Sequence, residues 1–182
     1  MEGQTVWVVY CVDTSSLVNV QRTYPLAVFP GLWERMSELA GEGRLAAPRE
    51  VFNELERGGD DEIFQWARSN RPMFRDPDDE QIQLAKTIVN DPKFGRLFDI
   101  DSETPDADPF VIALASVEQR RVSIFPQKWI VVTDESRVQP GTKPRIPDVC
   151  NDPRYQLECI RILDMFRREG WEFVRRAPGG SR

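Results

Sequence analysis

Apolar residues run almost unbroken from Val6 to Val12 and give way at Asp13 to the polar stretch Thr14-Ser15-Ser16. A mostly β-branched and aromatic run followed by capping residues predicts strand, turn and helix, with Asp13 at the carboxyl end of the strand. The pattern then turns helical, first from Ser15 to about Tyr24, stopped by Pro25, and again from Leu26 to about Leu39, closed by Gly41-Glu42-Gly43. Arg44 to Ala47 reads as a brief extended segment, and Pro48 opens a helix through about Arg57. Further helices are expected from Asp60 to Arg68 and across Ile82 to Val89, the latter preceded by the turn Asp76-Pro77-Asp78-Asp79. After an acidic loop from Asp99 to Pro105 comes Asp108-Pro109-Phe110-Val111-Ile112-Ala113-Leu114-Ala115, apolar on nearly every side, as a helix buried against a sheet would be. Trp129 to Glu135 is the clearest later strand, again ending in acids. A punctuated loop from Pro140 to Pro153, a helix from about Tyr155 to Arg168 and a last strand from Trp171 to Val174 complete the pattern.

Strands separated by helical segments predict an α/β fold of three layers, α/β/α, around a central, mainly parallel sheet. The 182 residues suit one domain, taken as 1–176, with 177–182 as a loose tail. In open sheets of this kind ligands gather outside the carboxyl ends of the strands, which makes an aspartate at such an end a candidate for chemistry.

Composition narrows that chemistry. There is no histidine, so Ser-His-Asp or Cys-His catalysis, histidine-based cleavage of RNA and zinc held by imidazole are excluded. The three cysteines, Cys11, Cys150 and Cys159, lack the spacing of a zinc knuckle or redox motif. Neither a signal peptide nor a membrane span is expected, and a cytoplasmic protein follows. A net charge of −6 argues against general adhesion to nucleic acid but leaves room for acids clustered around metals.

Each candidate acid also has an ordinary reading. Asp13 can cap the following helix, although Thr14 and Ser15 are equally able to do so. Glu54 lies on the margin of its helix's apolar stripe, whereas Glu50 and Glu56 fall farther toward solvent, and an arginine at Arg57 or Arg49 can pair with it. Asp108 before Pro109 is the favoured N-cap and first-turn pair, and Asp106 reads as a solvated loop acid. Asp134 and Glu135 can simply begin a turn, but adjacent acids repel unless something positive neutralises them. Carboxylates gathered at one sheet edge would be costly without a cation, and hard oxygen ligands select Mg²⁺ or Mn²⁺. Two such ions about 3.5–4 Å apart support in-line displacement at phosphorus. Arg22, Arg120, Arg121, Lys128, Arg137, Lys143 and Arg145 are the cations available for a phosphate backbone.

At this point the chain resembles the PIN domain family, metal-dependent ribonucleases. The likeness rests on Val12-Asp13-Thr14-Ser15-Ser16-Leu17, on Pro48-Arg49-Glu50-Val51-Phe52-Asn53-Glu54-Leu55, on the buried helix opening at Asp108, and on Val131-Val132-Thr133-Asp134-Glu135, in order over roughly residues 5 to 175. It looks most like a PIN-like subfamily close to VapC-type toxins. The resemblance implies that Asp13, Glu54, Asp108 and Glu135 carry the catalysis and that Asp13, Asp108 and Glu135 or Asp134 hold the metal. Glu135 stands in the family's register, where an aspartate is usual, and Asp134 beside it leaves the fourth ligand open. Thr14 and Ser15 would face the same pocket. The implied activity is endoribonuclease cleavage by the toxin of a type II toxin–antitoxin pair, with Mg²⁺ or Mn²⁺ as cofactor and RNA as substrate. A cognate antitoxin would be its partner. A silent PIN-like binding module is the alternative, and a phosphoacceptor using Asp13 is disfavoured because Ser15 stands where haloacid-dehalogenase-like enzymes need a second aspartate. Apolar residues on the early helices, Leu26, Phe29 and Trp33, lead us to expect a homodimer.

Overall fold

The structure, a computed structural model, describes residues 6–94, 106–135 and 145–172. Strand β1 (Trp7–Val12) lies at its centre, paired in parallel with β4 (Gln127–Val132) along its whole length, from Trp7↔Gln127 to Val12↔Val132. On its other side β1 pairs with β2 (Leu45–Pro48), which pairs with the two-residue β3 (Phe74–Arg75), and β5 (Glu158–Ile160) joins the outer edge of β4. All five strands are parallel, in the order β3-β2-β1-β4-β5. The chain builds outward from β1 in one direction and then returns to build in the other. The point of reversal therefore falls between the carboxyl ends of β1 and β4, where two loops part and leave a crevice.

Helices α1 (Thr14–Thr23), α2 (Pro30–Gly41), α3 (Arg49–Arg57) and α4 (Asp61–Ser69) precede β3. Of these α1, α3 and α4 pack on one another, whereas α5 (Asp79–Val89), α6 (Asp108–Arg120) and α7 (Ile146–Cys150) form a second group. The α8 helix (Ile162–Arg168) follows β5. Helices around a parallel sheet give the three-layer α/β/α arrangement expected from the alternation of patterns. In α6 every residue from Val111 to Val117 is buried, which accounts for its lack of a polar face.

Four local expectations are corrected. The second helix begins at Pro30 rather than Leu26, because the amides of Val28 and Phe29 both bond to the carbonyl of Pro25 in a turn. Within the expected helix from Tyr155, Gln156 takes a left-handed φ of 50° and residues 158–160 pair as β5, so tertiary pairing overrides the helical pattern and α8 starts only at Ile162. The loop from Pro140 contains α7, and β3 was not anticipated because two residues give no period to read. Of the final strand, residues 171 and 172 are in no strand, and 173–174, like the 177–182 tail and the loop 99–105, lie outside the described residues.

The basis for a homodimer also changes. Trp33 is only 2% exposed, packed edge-on to Trp66 with its indole N–H donated to the Tyr24 carbonyl, and Leu26 is half-buried. Phe29 alone of the three stays open, while the most exposed large apolar residues described are Val122 and Ile124 in the loop before β4. Among the described residues no helix is long and apolar enough to cross a membrane.

From the middle of β1 and the residue before β2, Tyr10 Oη (2.7 Å) and Arg44 Nη2 (2.6 Å) both donate to Glu169 Oε1, tying the segment after α8 to the sheet. Burial, followed by the Glu169 carboxylate, holds the Tyr10 phenol far above its ordinary value. Glu169→Ala strips both donors of their acceptor. The expected loss is about 2 kcal/mol, in the range of hydrogen bonds to charged groups, which for a chain of this size lowers Tm by about 4–8 °C. Thermal unfolding followed by circular dichroism checks this, and an unchanged Tm refutes the tie.

Candidate active site

Strand geometry explains what meets at the reversal point. Side chains alternate along β1, and Cys11, whose thiol donates to the Val111 carbonyl of α6, marks the face that α6 covers. Asp13 lies two residues on with extended backbone (φ −89°, ψ 170°), so it turns to that same face. Register carries Cys11↔Val131 forward to Asp13 opposite Thr133, and the Thr133 hydroxyl donates to Asp13 Oδ2 at 2.6 Å. The Ser15 hydroxyl donates to the same oxygen at 2.6 Å, and the Ser16 amide to Oδ1 at 2.7 Å. Asp13 is thus the N-cap of α1 and is also 1% exposed. Burial raises its carboxyl above the ordinary 3.8, against the lowering effect of the Ser15 and Thr133 hydroxyls.

Glu54 reaches the crevice from α3. The Thr14 hydroxyl donates to its Oε2 and the Ala107 amide to its Oε1 at 2.9 Å, so this one carboxylate joins the start of α1 to the start of α6. Its acid strength is reduced chiefly by burial. Asp108 was expected to cap α6, but Ala107 occupies the cap position and Asp108 is the first helical residue. The Asp108 amide donates to Asp106 Oδ1 at 3.2 Å, so Asp106 satisfies an amide of the helix start that a cap would otherwise take. Burial, and then Asp106, Glu135, Asp13 and Glu54 in that order, raise Asp108 well above 3.8. The four neighbours act on it as like charges.

The same alternation separates the last two acids. Asp134 follows Thr133 and turns to the opposite face, where Oδ2 accepts from Asn19 Nδ2 of α1 (2.8 Å) and Oδ1 from the Ile162 amide of α8 (3.3 Å). Glu135 turns back, accepting the Ile146 amide of α7 at 3.1 Å. Burial raises Glu135 above 4.5, and Asp13 adds to that. Asp13, Glu54, Asp106 and Glu135 therefore all lie near enough to Asp108 to act on its charge, on the α6 side of the sheet end, and Asp134 belongs to the α1–α8 side.

Two residues were not singled out by the sequence. Thr133, 1% exposed, fixes Asp13, and strand register was the signal that could have found it. Glu50, expected toward solvent, is 5% exposed, and its Oε2 has no hydrogen-bond partner among the described residues. It lies one turn before Glu54 and so on the same helix face. Of the basic candidates, Lys128 is bound to Glu158 near the amino end of β4, and Arg121 to Asp78 and Glu118 at the end of α6 away from Asp108. Arg120, also at that end, and Arg22 are exposed, Arg145 acts on Glu135, and Arg137 and Lys143 lie outside the described residues.

A family model described as a domain of unknown function, DUF4411, matches residues 10–173. The chain belongs to that family. The match to DUF4411 runs from within β1 through α8 and takes in all of the acids above. No curated protein and no solved structure matches the chain.

The donor set suits a hard divalent cation in kind, since it is all oxygen and carries excess negative charge. It does not form a closed coordination shell as it stands. Among the described residues no three His, Cys, Asp or Glu side chains come together at metal-ligating spacing, and both oxygens of Glu54 are engaged by protein donors.

Proposed function

We propose that this chain is a PIN-like, Mg²⁺- or Mn²⁺-dependent endoribonuclease, working in the cytoplasm as the toxin of a type II toxin–antitoxin pair and restrained by a cognate antitoxin. The observation that carries the reading is Asp13. It is an almost wholly buried carboxylate at the sheet's reversal point, with Asp108, Glu54 and Glu135 converging on the same crevice. Structural carboxylates seldom gather where each raises the pKa of the next. A divalent cation there would neutralise that charge and lower the barrier to attack of water on an RNA phosphodiester.

The chain's own residues supply orientation. Ser15 and Thr133 hold Asp13 in one rotamer, Glu54 would position Thr14 and the first turn of α6, and Asp108 and Glu135 would release their protons as a cation enters. A second reading, a silent binding module, draws support from the spacing of the acids and from Glu54, whose oxygens are already committed.

The two readings part in one assay. Single-stranded RNA is incubated with the protein and Mn²⁺ or a chelator, using unmodified chain, Glu135→Gln and Asp134→Asn. The nuclease reading expects cleavage only with Mn²⁺, reduced at least about tenfold by Glu135→Gln, in keeping with loss of a charged group at a metal site. Asp134→Asn, whose side chain faces Asn19, should cut RNA nearly as well as the parent. Binding of Mn²⁺ without cleavage would leave the silent module standing.

A further inference from the structure

Two cavities run along the opposite side of the molecule from α6, between α1 and α8. The smaller, about 180 Å³, is lined by Asn19, Thr23, Asp134 and Arg161. The larger, about 290 Å³, is walled by Tyr24, Phe29, Leu163, Phe166 and Trp171, with Arg167 in its lining. They share Tyr24 and Leu163 as walls, so they are adjacent, and the smaller one is lined by Asp134, the residue between Thr133 and Glu135. From these features we propose that the larger cavity is a subsite for one unpaired nucleobase of an RNA strand whose backbone passes the acid crevice. This rests on the nuclease reading for its substrate class, and it adds where the strand is gripped.

Three observations favour a base over another occupant. The walls are aromatic and already ordered: Phe166 and Trp171 lie stacked (5.1 Å, 20°), and Tyr24 and Phe29 meet edge-on (5.4 Å). Unpaired bases bind by stacking on such rings and on guanidinium planes. At about 290 Å³ the cavity sits at the lower end of the usual small-molecule range of about 300–1,000 Å³, suiting one ring system rather than a helix of a partner protein. Guanidinium groups also line both cavities, Arg161 in one and Arg167, paired with Asp164, in the other, and an attached phosphate chain would run past them and compete for Arg167.

The spacing is fixed by α1. Its cap, Asp13, is in the acid crevice and its last cap, Tyr24, is in the cavity wall, with ten helical residues between them. At about 1.5 Å per residue the two ends are about 15 Å apart, which a strand stacked at about 3.4 Å per nucleotide covers in four to five steps. For a stacked strand the base in the cavity therefore lies at least about four nucleotides from the phosphate that is cut.

The test uses full-length protein. Leu163 is 42% exposed in the first turn of α8, where an acid is favoured by the helix dipole, so Leu163→Glu keeps the fold while placing a negative charge in the cavity. Leu163→Gln is its neutral counterpart, and Ile124→Glu, in the loop before β4 at the other end of the sheet, is a surface control. Each is made in the Asp13→Asn background, and affinity for a labelled single-stranded octaribonucleotide is read by fluorescence anisotropy. AMP is titrated separately against tryptophan emission.

We expect Leu163→Glu to weaken octanucleotide binding at least tenfold, Leu163→Gln to weaken it no more than about threefold, and Ile124→Glu to leave it unchanged. AMP should quench emission in the parent but not in Leu163→Glu. Equal RNA affinity in Leu163→Glu and parent overturns the subsite, as does a change in sedimentation without a change in RNA binding, which would assign the cavity to a second copy. If RNA is cleaved with Mn²⁺ but Leu163→Glu binds it normally, the subsite fails and the nuclease reading stands. If AMP and octanucleotide bind through Leu163 but no RNA is ever cleaved, the reverse holds.

Discussion

On the proposed nuclease reading, Asp13→Asn is expected to abolish RNA cleavage in Mn²⁺, by at least about a hundredfold, while leaving the protein folded. The two halves of that expectation come from the same hydrogen bonds. Asparagine caps a helix as well as aspartate does, so its carbonyl oxygen can keep the Ser16 amide. The Ser15 and Thr133 hydroxyls can rotate to accept from the new amide instead of donating to a carboxylate. What the substitution removes is the charge. A hundredfold loss corresponds to about 2.7 kcal/mol of transition-state stabilisation, ordinary for a group that helps fix a metal. Rates on a fluorogenic single-stranded RNA and melting curves of both proteins test it together. Cleavage surviving in Asp13→Asn would remove the crevice from the chemistry, and an unfolded variant would show the charge to be structural.

A second large effect is expected in the metal-free protein, whose melting temperature should fall as pH rises above the ordinary carboxylate range. Asp13, Glu54, Asp108 and Glu135 all have carboxyls raised above their ordinary 3.8 or 4.5 by burial, and in Asp108 further by its acidic neighbours. A raised carboxyl binds its proton more tightly folded than unfolded, so its stabilising contribution is complete below the ordinary value and is lost as pH rises through the raised one. Asp78 and Glu158 behave in the opposite sense. They are held low, Asp78 first by the Gln81 amide and Glu158 first by Arg168, and their contribution fades on acidification. Together they place maximum stability on the acid side of neutrality, between the lowered carboxyls and the raised ones. Mg²⁺ should restore several degrees at pH 7.5 and little at pH 5, and Asp108→Asn should flatten the neutral side of the curve and remove most of the Mg²⁺ effect. Differential scanning fluorimetry across pH, with and without Mg²⁺, decides this. A Tm that climbs steadily to pH 7.5 without metal would contradict the crowding of acids.

The architecture was readable because β1, α6 and β4 announce themselves. A β-branched run, an all-apolar helix and a second β-branched run need no tertiary help to be recognised. β3 and β5 were hidden for the opposite reason: two and three residues at the sheet edges take their form from β2 and β4 rather than from their own sequence. At the crevice, the choice between Asp134 and Glu135 was open only while β4 was read as a single run. Period-two alternation from Val131 already sends Thr133 and Glu135 to one face and Asp134 to the other, and the bonds to Asn19 and Ile146 follow it. Glu50 was legible in neither way, because what buries it lies outside its own helix. The ordinary reading of Asp108 as a cap, drawn from the Asp-Pro preference, gives way because Ala107 holds the cap position and Asp106 takes the Asp108 backbone amide, which leaves the Asp108 carboxyl to the site.

The pairing of β1 with β4 has a consequence for how the protein is made. Asp13 leaves the ribosome well before the hydroxyl that fixes it, which belongs to Thr133, 120 positions later. At about 5–20 residues per second, translation needs at least several seconds to deliver that partner. A nascent or prematurely terminated chain therefore carries the first acid without the strand that aims it, and whatever the crevice does begins only once β4 has been made.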